Sequence, residues 1–194
     1  MIGLFFGETI FPKLILKNIK KKKLKYLIID LSKKNIFKKN SNSYRISIGQ
    51  FGKILKILNQ NKCKKVIFAG KIEKPKFSEL KLDATGIYYI PRIIKAAKKG
   101  DAAILKELIK ILSLKKINII SSVYFNPELS LKSGHYTKLR PNKQDLTDVS
   151  KGIRILQRSN AYDHIQAVII KNNLVFKETS KGTKKLLHSI KKDI

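Results

Sequence analysis

Apolar positions in the first 126 residues alternate between two patterns. Short apolar-rich runs such as Ile2–Phe6, Leu24–Asp30, which ends in an acid, and Val66–Gly70 are too short for helices and predict buried strands. Between them, apolar residues recur at helical spacing. Phe11-Pro12 opens a segment with Leu14, Ile15 and Ile19 on one side, where Pro12 suits a first helical turn. Phe51, Ile54, Leu55 and Leu58 mark a second helix, and Ile104, Leu105, Leu108, Ile109 and Leu112 a third over 101–112, with Asp101 as its N-cap. Tyr44–Ile48 alternates as a strand, and Ile117–Val123 is a last β-rich run. Strand and helix in alternation predict a parallel α/β sheet, here a doubly wound, Rossmann-like one.

The pattern changes after Asn126-Pro127. A polar stretch from Ser130 to Asn142 reads as a linker closed by Arg140-Pro141. Leu146, Val149, Ile153 and Leu156 then predict a helix, and Ala167–Ile170 and Leu174–Phe176 around Lys171-Asn172-Asn173 a hairpin. A short helix begins near Gly182. The fold expected is thus α/β: a Rossmann-like parallel-sheet N-terminal domain over 1–126, a linker over 127–143, and a small α+β C-terminal domain over 144–194 that reads as incomplete.

Charge alters this picture more than length does. With 43 Lys and Arg against 13 Asp and Glu, the net charge is +30. Such a balance raises nucleic acid or an anionic membrane as partners. Yet 38 of the basic residues are lysine, and the planar arginine fork that reads bases and clamps phosphates is scarce. The lysines accompany many Ile and Asn, as codon bias in an AT-rich genome produces, and they are spread along the chain. The run Lys20–Lys23, late in a helix, suits the helix dipole or a membrane surface. One cysteine, Cys63, excludes an internal disulfide framework, and no apolar run reaches the ~18 residues of a membrane span. The N-terminus lacks the basic region of a secretion signal, so a soluble, cytoplasmic chain is expected.

Three glycine-containing turns fall where α/β folds present backbone N–H groups to phosphate: Gly7-Glu8-Thr9, Gly49-Gln50-Phe51-Gly52 and Ala69-Gly70-Lys71. None has the G-x-G-x-x-G or G-K-S/T spacing, and a plain strand-to-helix turn also accounts for the first. Taken together they suggest a crevice at one sheet edge. His135, His164 and His188 show no metal spacing. Asp145, Asp148, Asp163 and Glu178 are the carboxylates available to a divalent ion in the second half. Asp145 and Asp148 also suit helix capping, and both readings stand.

From residue 2 to about residue 188 the chain resembles, in order, the LpxI family of UDP-2,3-diacylglucosamine pyrophosphatases in Gram-negative lipid A synthesis. The resemblance rests on Ile48-Gly49-Gln50-Phe51-Gly52-Lys53 and on Val66-Ile67-Phe68-Ala69-Gly70-Lys71-Ile72-Glu73-Lys74-Pro75. Gly100-Asp101, Gly134, Thr137, Arg140-Pro141, Asp148, Gly152, Asp163 and Gln166 continue it.

What the resemblance implies is Mg²⁺-dependent hydrolysis of a UDP-linked diacyl sugar to UMP and 2,3-diacylglucosamine 1-phosphate, at the inner face of the cytoplasmic membrane. It implies substrate contacts from Gly7, Gln50, Ala69, Gly70, Lys71, Asp101, Thr137, Arg140 and Gln166. It offers Asp148, Asp163 and Glu178 to the metal and leaves the catalytic residue unassigned. The chain differs from the family at Glu8, in its first turn, and at Lys181-Gly182-Thr183-Lys184, where the family has E-G-T-D. The resemblance also implies a further strand-rich segment, bearing the catalytic Asp, beyond residue 194. Two other functions fit the residues: a UDP-lipid-binding protein without turnover, and a Lys-rich nucleic-acid-binding α/β protein. A homodimer that completes half-sites is compatible with the sequence, which does not favour it over a monomer.

Overall fold

The computed structural model describes residues 1–73, 76–159, 165–171, 173–179 and 182–190. Five parallel strands form its main sheet: β1 (Ile2–Phe6), β2 (Tyr26–Asp30), β3 (Ser43–Arg45), β4 (Lys65–Ala69) and β5 (Asn118–Ile119). Their order is β3-β2-β1-β4-β5. β1 lies at the centre, paired with β2 from Ile2↔Tyr26 to Phe6↔Asp30 and with β4 from Ile2↔Lys65 to Phe6↔Ala69. All five of its residues are buried, which is why it is a continuous apolar run rather than an alternating one.

Helix α1 (Phe11–Lys21) carries Pro12 in its first turn and buries Pro12, Ile15 and Ile19 against β1, β2 and β4. Ile15 and Ile19 are fully inaccessible, and each contributes roughly 2 kcal/mol relative to an exposed position. Lys22 anchors the helix end by donating to the Phe125 carbonyl at 2.8 Å, and Asn18 donates to Glu128. Helix α2 (Phe51–Gln60) buries Phe51, Ile54, Leu55, Ile57 and Leu58.

Two edge strands are shorter than the apolar pattern predicts. The alternation of Tyr44–Ile48 outlasts β3 because its partner β2 ends at Asp30, opposite Arg45. Ile46 donates once more to the Asp30 carbonyl before the Ser47–Gln50 turn. Likewise β5 ends near Ile120, because Ser121 accepts from Val123 through its hydroxyl and from Tyr124 through its carbonyl, and so turns the chain. One helix has no counterpart in the sequence expectations: α3 (Ala84–Ala97), which holds Pro91 in its interior. It is followed by α4 (Asp101–Leu114), in which Asp101 is an exposed acid of the first turn.

The chain divides into two compact units, Met1–Pro91 with Ile109–Lys132, and Arg92–Leu108 with Ser133–Ile194. In the second, α5 (Lys143–Ser159) starts with a reciprocal cap: Asn142 Oδ1 accepts from Asp145 N at 2.9 Å, and Asp145 Oδ2 accepts from Asn142 N at 2.8 Å. Strands β6 (Val168–Lys171) and β7 (Leu174–Lys177) form the expected antiparallel hairpin, with Asn173 at φ +66° in its turn. Gly152 of α5 faces Ile170 of β6. The last helix is α6 (Thr183–Ile190). Ser130–Asn142 has no regular structure.

Candidate functional site

The strand order locates a ligand-binding edge. From β1 the chain crosses to β2 on one side, and from β3 it returns to β4 on the other. The carboxyl ends of β1 and β4 therefore flank the point where the winding reverses, the usual crevice of open parallel sheets. Gly7-Glu8-Thr9 leaves β1 there and Gly70-Lys71 leaves β4, so Gly7, Ala69, Gly70 and Lys71 are brought together as the sequence suggests.

The backbone at this edge is tightly joined. Glu8 N donates to Lys71 O at 2.7 Å, Lys71 N returns a bond to Glu8 O at 3.1 Å, and Gly7 N donates to Ala69 O at 3.0 Å. A Cβ on Gly7 would stand 2.3 Å from Lys71 O. Gly70 has φ +86°, and its Cβ would stand 2.4 Å from Glu8 O. Both glycines are thus needed for the bridge between the turns, and the N–H groups of Gly7, Glu8 and Lys71 are committed to it. Donors for an anion remain at the start of α1, where Thr9, Ile10 and Phe11 N–H have no acceptor among the described residues and Ile10 gives no side-chain cap. Thr9, a β-branched residue, is held at φ +94°, a strained conformation of the kind found at ligand-binding turns.

Charges of both signs surround this edge. Lys71 is exposed, and an exposed ion pair joins Lys33, after β2, to Glu73, after β4. The hydrogen bond and charge of Lys33 hold the Glu73 carboxyl below its ordinary value, and Glu73 raises the Lys33 ammonium in return. At the end of β2, Asp30 occupies the place from which dinucleotide-binding folds contact a ribose. Here it is fully buried and saturated by its own loop: Oδ1 accepts from Ser32 N at 2.9 Å and Ser32 Oγ at 2.6 Å, and Oδ2 from Phe37 N at 3.0 Å. It has no oxygen to offer a ribose.

Gln50 stands before α2, on the strand-end side of β3, and its Oε1 accepts from Ser47 N at 3.3 Å. Next to it is Asp83, which lies in none of the motifs that the sequence singles out. Burial would push the Asp83 carboxyl up, but backbone N–H bonds from Gly86, Lys53, Gly52 and Thr85 outweigh it and hold the group below its ordinary value. The distances are 2.7 Å from Gly86 N, 2.9 Å from Lys53 N and 3.1 Å from Gly52 N. One carboxylate thereby caps α2 and α3 together. A Cβ on Gly86 would lie 2.1 Å from Gly49 O, so the motif Gly49–Gly52 and the start of α3 fit only without that side chain. The signal available in the sequence was Asp83 three residues before Gly86, a capping pattern with no apolar stripe to draw attention to it.

The other candidate residues belong to the second unit. Thr137 and Arg140 are exposed in the irregular segment, where Thr137 Oγ1 donates to Leu139 O at 3.0 Å. Asp148 is half-buried on α5 and accepts from Gln144 Nε2 at 3.2 Å. Glu178 Oε2 accepts from Gln166 N at 2.8 Å and Ala167 N at 3.1 Å, and its Oε1 from Thr183 Oγ1 at 2.8 Å. Gln166 and Glu178 are thus adjacent, with the carboxylate engaged in holding the chain around the hairpin. Asp163 lies outside the described residues. Among the described residues no group of three or more His, Cys, Asp and Glu is placed to hold a metal ion, so a Mg²⁺ cage is not formed by them.

Parallel strand order and a crevice at the winding reversal define a Rossmann-like α/β protein. Residues 1–129 match the family model of the LpxI N-terminal domain, and residues 132–193 that of the LpxI C-terminal domain. The chain belongs to the LpxI family. It is 31% identical, over 146 residues, to the UDP-2,3-diacylglucosamine pyrophosphatase LpxI of Caulobacter vibrioides, a match that covers 75% of this chain and 52% of that protein. The chain thus spans about half the length of that relative.

Proposed function

We propose that this chain serves the hydrolysis of UDP-2,3-diacylglucosamine to UMP and 2,3-diacylglucosamine 1-phosphate in lipid A biosynthesis, on the cytoplasmic side of the inner membrane. The observation that carries the reading is the match of both LpxI domains, in order, along one chain. The geometry supports it. A pyrophosphate docked at the β1/β4 edge meets the uncapped start of α1 and the Lys71 ammonium, which are placed to stabilise charge that builds on phosphoryl oxygens. Gln50 and the loop ordered by Asp83 stand on the same strand-end side of the sheet. Thr137, Arg140, Asp101 and Gln166 are proposed as further substrate-binding residues on the strength of the family resemblance.

Mg²⁺ is proposed as the cofactor on the strength of the family resemblance, and no step is derived through it, because the described carboxylates do not gather around a common point. A second reading, substrate binding without turnover, is favoured by that dispersal and by the engagement of both Glu178 oxygens. UMP release from detergent-dispersed UDP-2,3-diacylglucosamine, with Mg²⁺ and then with chelator, separates the two. The expected outcome is metal-dependent release, lowered at least about tenfold in kcat/KM by Lys71→Ala. Substrate binding with no release would establish the second reading, and absence of both would overturn each.

A further inference from the structure

We infer that the exposed face of α1, with the loop after β2, is an anionic-membrane docking surface. This deepens the proposed function, since a diacyl substrate resides in a bilayer, and it rests on that reading for its purpose. The surface itself is argued from other residues.

Lys13, Lys17 and Lys20 succeed one another at i, i+4 and i+7 along α1, and Lys39 faces them from the loop. Together they surround an open pocket of about 440 Å³ whose floor includes Leu16 and Phe37, the outer skin of the core. All four lysines are exposed, and none has a carboxylate partner among the described residues. Like charges four apart oppose a helix, and Lys13 in the first turn opposes the dipole as well. There is no acid in that turn to offset it. Lys20 and Lys21 at the other end are explained by the dipole, whereas Lys13 and Lys17 are not.

An anion held between these lysines removes the repulsion, and the neighbouring surface says which kind of anion. Ile10, 69% exposed, and Leu14, 38% exposed, project beside Lys13 and Lys17. Apolar side chains at the tip of a basic helix face match the interface of a bilayer, where the acyl boundary takes the apolar groups and phosphate headgroups take the ammoniums. A nucleic-acid surface would instead call for arginine forks or aromatic platforms. Phe37 is buried, and the guanidinium of Arg45 donates to the Lys33 carbonyl. Ile10 directly precedes α1, so this surface is continuous with the turn that leaves β1 at the candidate site.

The test is co-sedimentation of the full 194-residue chain with phosphatidylcholine vesicles, with and without about 30% phosphatidylglycerol, in about 0.1 M KCl. Two variants are compared, Lys13→Glu/Lys17→Glu/Lys20→Glu and the control Lys56→Glu/Lys62→Glu/Lys64→Glu. All six positions are exposed, and each triple removes the same charge. The expected result is binding that requires phosphatidylglycerol, lost about 100-fold in the α1 triple and within about twofold of wild type in the control. Equal loss in both triples, full binding by the α1 triple, or no binding by wild type overturns the assignment. So does α1-dependent capture of a DNA duplex or poly-uridine in preference to vesicles. UMP release from detergent-dispersed substrate is read in parallel. Release without vesicle binding defeats the docking surface and leaves the function standing, whereas vesicle binding without release does the reverse.

Discussion

A carboxylate with no access to water needs its hydrogen bonds supplied by the chain, and Asp30 obtains them from the loop that follows it. Ser32 donates through both N–H and hydroxyl, Phe37 donates through N–H, and Ser32 Oγ in turn accepts from Ile36 N at 3.0 Å. This closes the 31–37 loop and presses the Phe37 ring to 5.1 Å from Phe6, in the core. Asp30→Ala leaves two buried N–H groups and a hydroxyl unanswered, and is expected to lower stability by about 3 kcal/mol in urea unfolding. An unchanged midpoint would show that the network is dispensable. That an acid ends the second strand is visible in the sequence. Its partners are not, because Phe37 N–H reaches it only once the loop has turned back. Cys63 presents the simpler case: it is buried, as its place between a helix and a strand suggests, and burial raises its thiol.

Asp83 joins two elements that periodicity treats as independent. By receiving N–H bonds from Gly52, Lys53 and Gly86, it fixes the starts of α2 and α3 to each other. Asp83→Ala is expected to cost about 2 kcal/mol, one cap's worth for each helix. The pH dependence has a definite sign. The folded state holds this carboxyl below its ordinary value, so its stabilisation is complete above that value. It is lost as pH falls through the lower, folded value. Acid unfolding of Asp83→Asn should therefore show a shallower decline than wild type over that acidic window, and parallel declines would refute the assignment. α3 escaped the sequence reading because Pro91 interrupts its interior and its buried residues, Gly86 and Tyr89, make no stripe. Conversely, the stripe of α5 is plain in the sequence, yet Leu146, Val149 and Ile153 are about half exposed. Periodicity tells which face is apolar, and not whether something covers it.

A net charge of +30 distributed over 194 residues implies self-repulsion in the folded chain. The ion pairs among the described residues offset little of it: Lys33–Glu73 and Lys76–Glu79 are exposed, while Arg92–Glu107, at 2.5 Å, is the better sheltered. Added salt should consequently stabilise this protein by screening repulsion. Between about 0.05 and 0.5 M KCl a rise in Tm of roughly 4 °C is expected in a thermal scan. A fall would mean that attractive pairs dominate instead. No helix among the described residues is long and apolar enough to cross a membrane.

The alternation of buried runs and amphipathic segments was sufficient to establish a parallel α/β sheet, most of its helices, the hairpin and the glycine turns at the strand ends. Those features depend on which face of a short segment avoids water, and neighbouring residues alone encode that. The order β3-β2-β1-β4-β5 and the lengths of the edge strands depend on which distant backbone meets which. So does the commitment of the Gly7, Glu8 and Lys71 N–H groups to one another, and of Glu178 to the hairpin. A hydrogen-bond donor can be spent only once, and where it is spent is settled by contacts between residues far apart in the chain. For that reason the meeting of the glycine turns at the strand ends could be read from the sequence, while the α1 N–H groups left without an acceptor among the described residues emerged only when the sheet had closed.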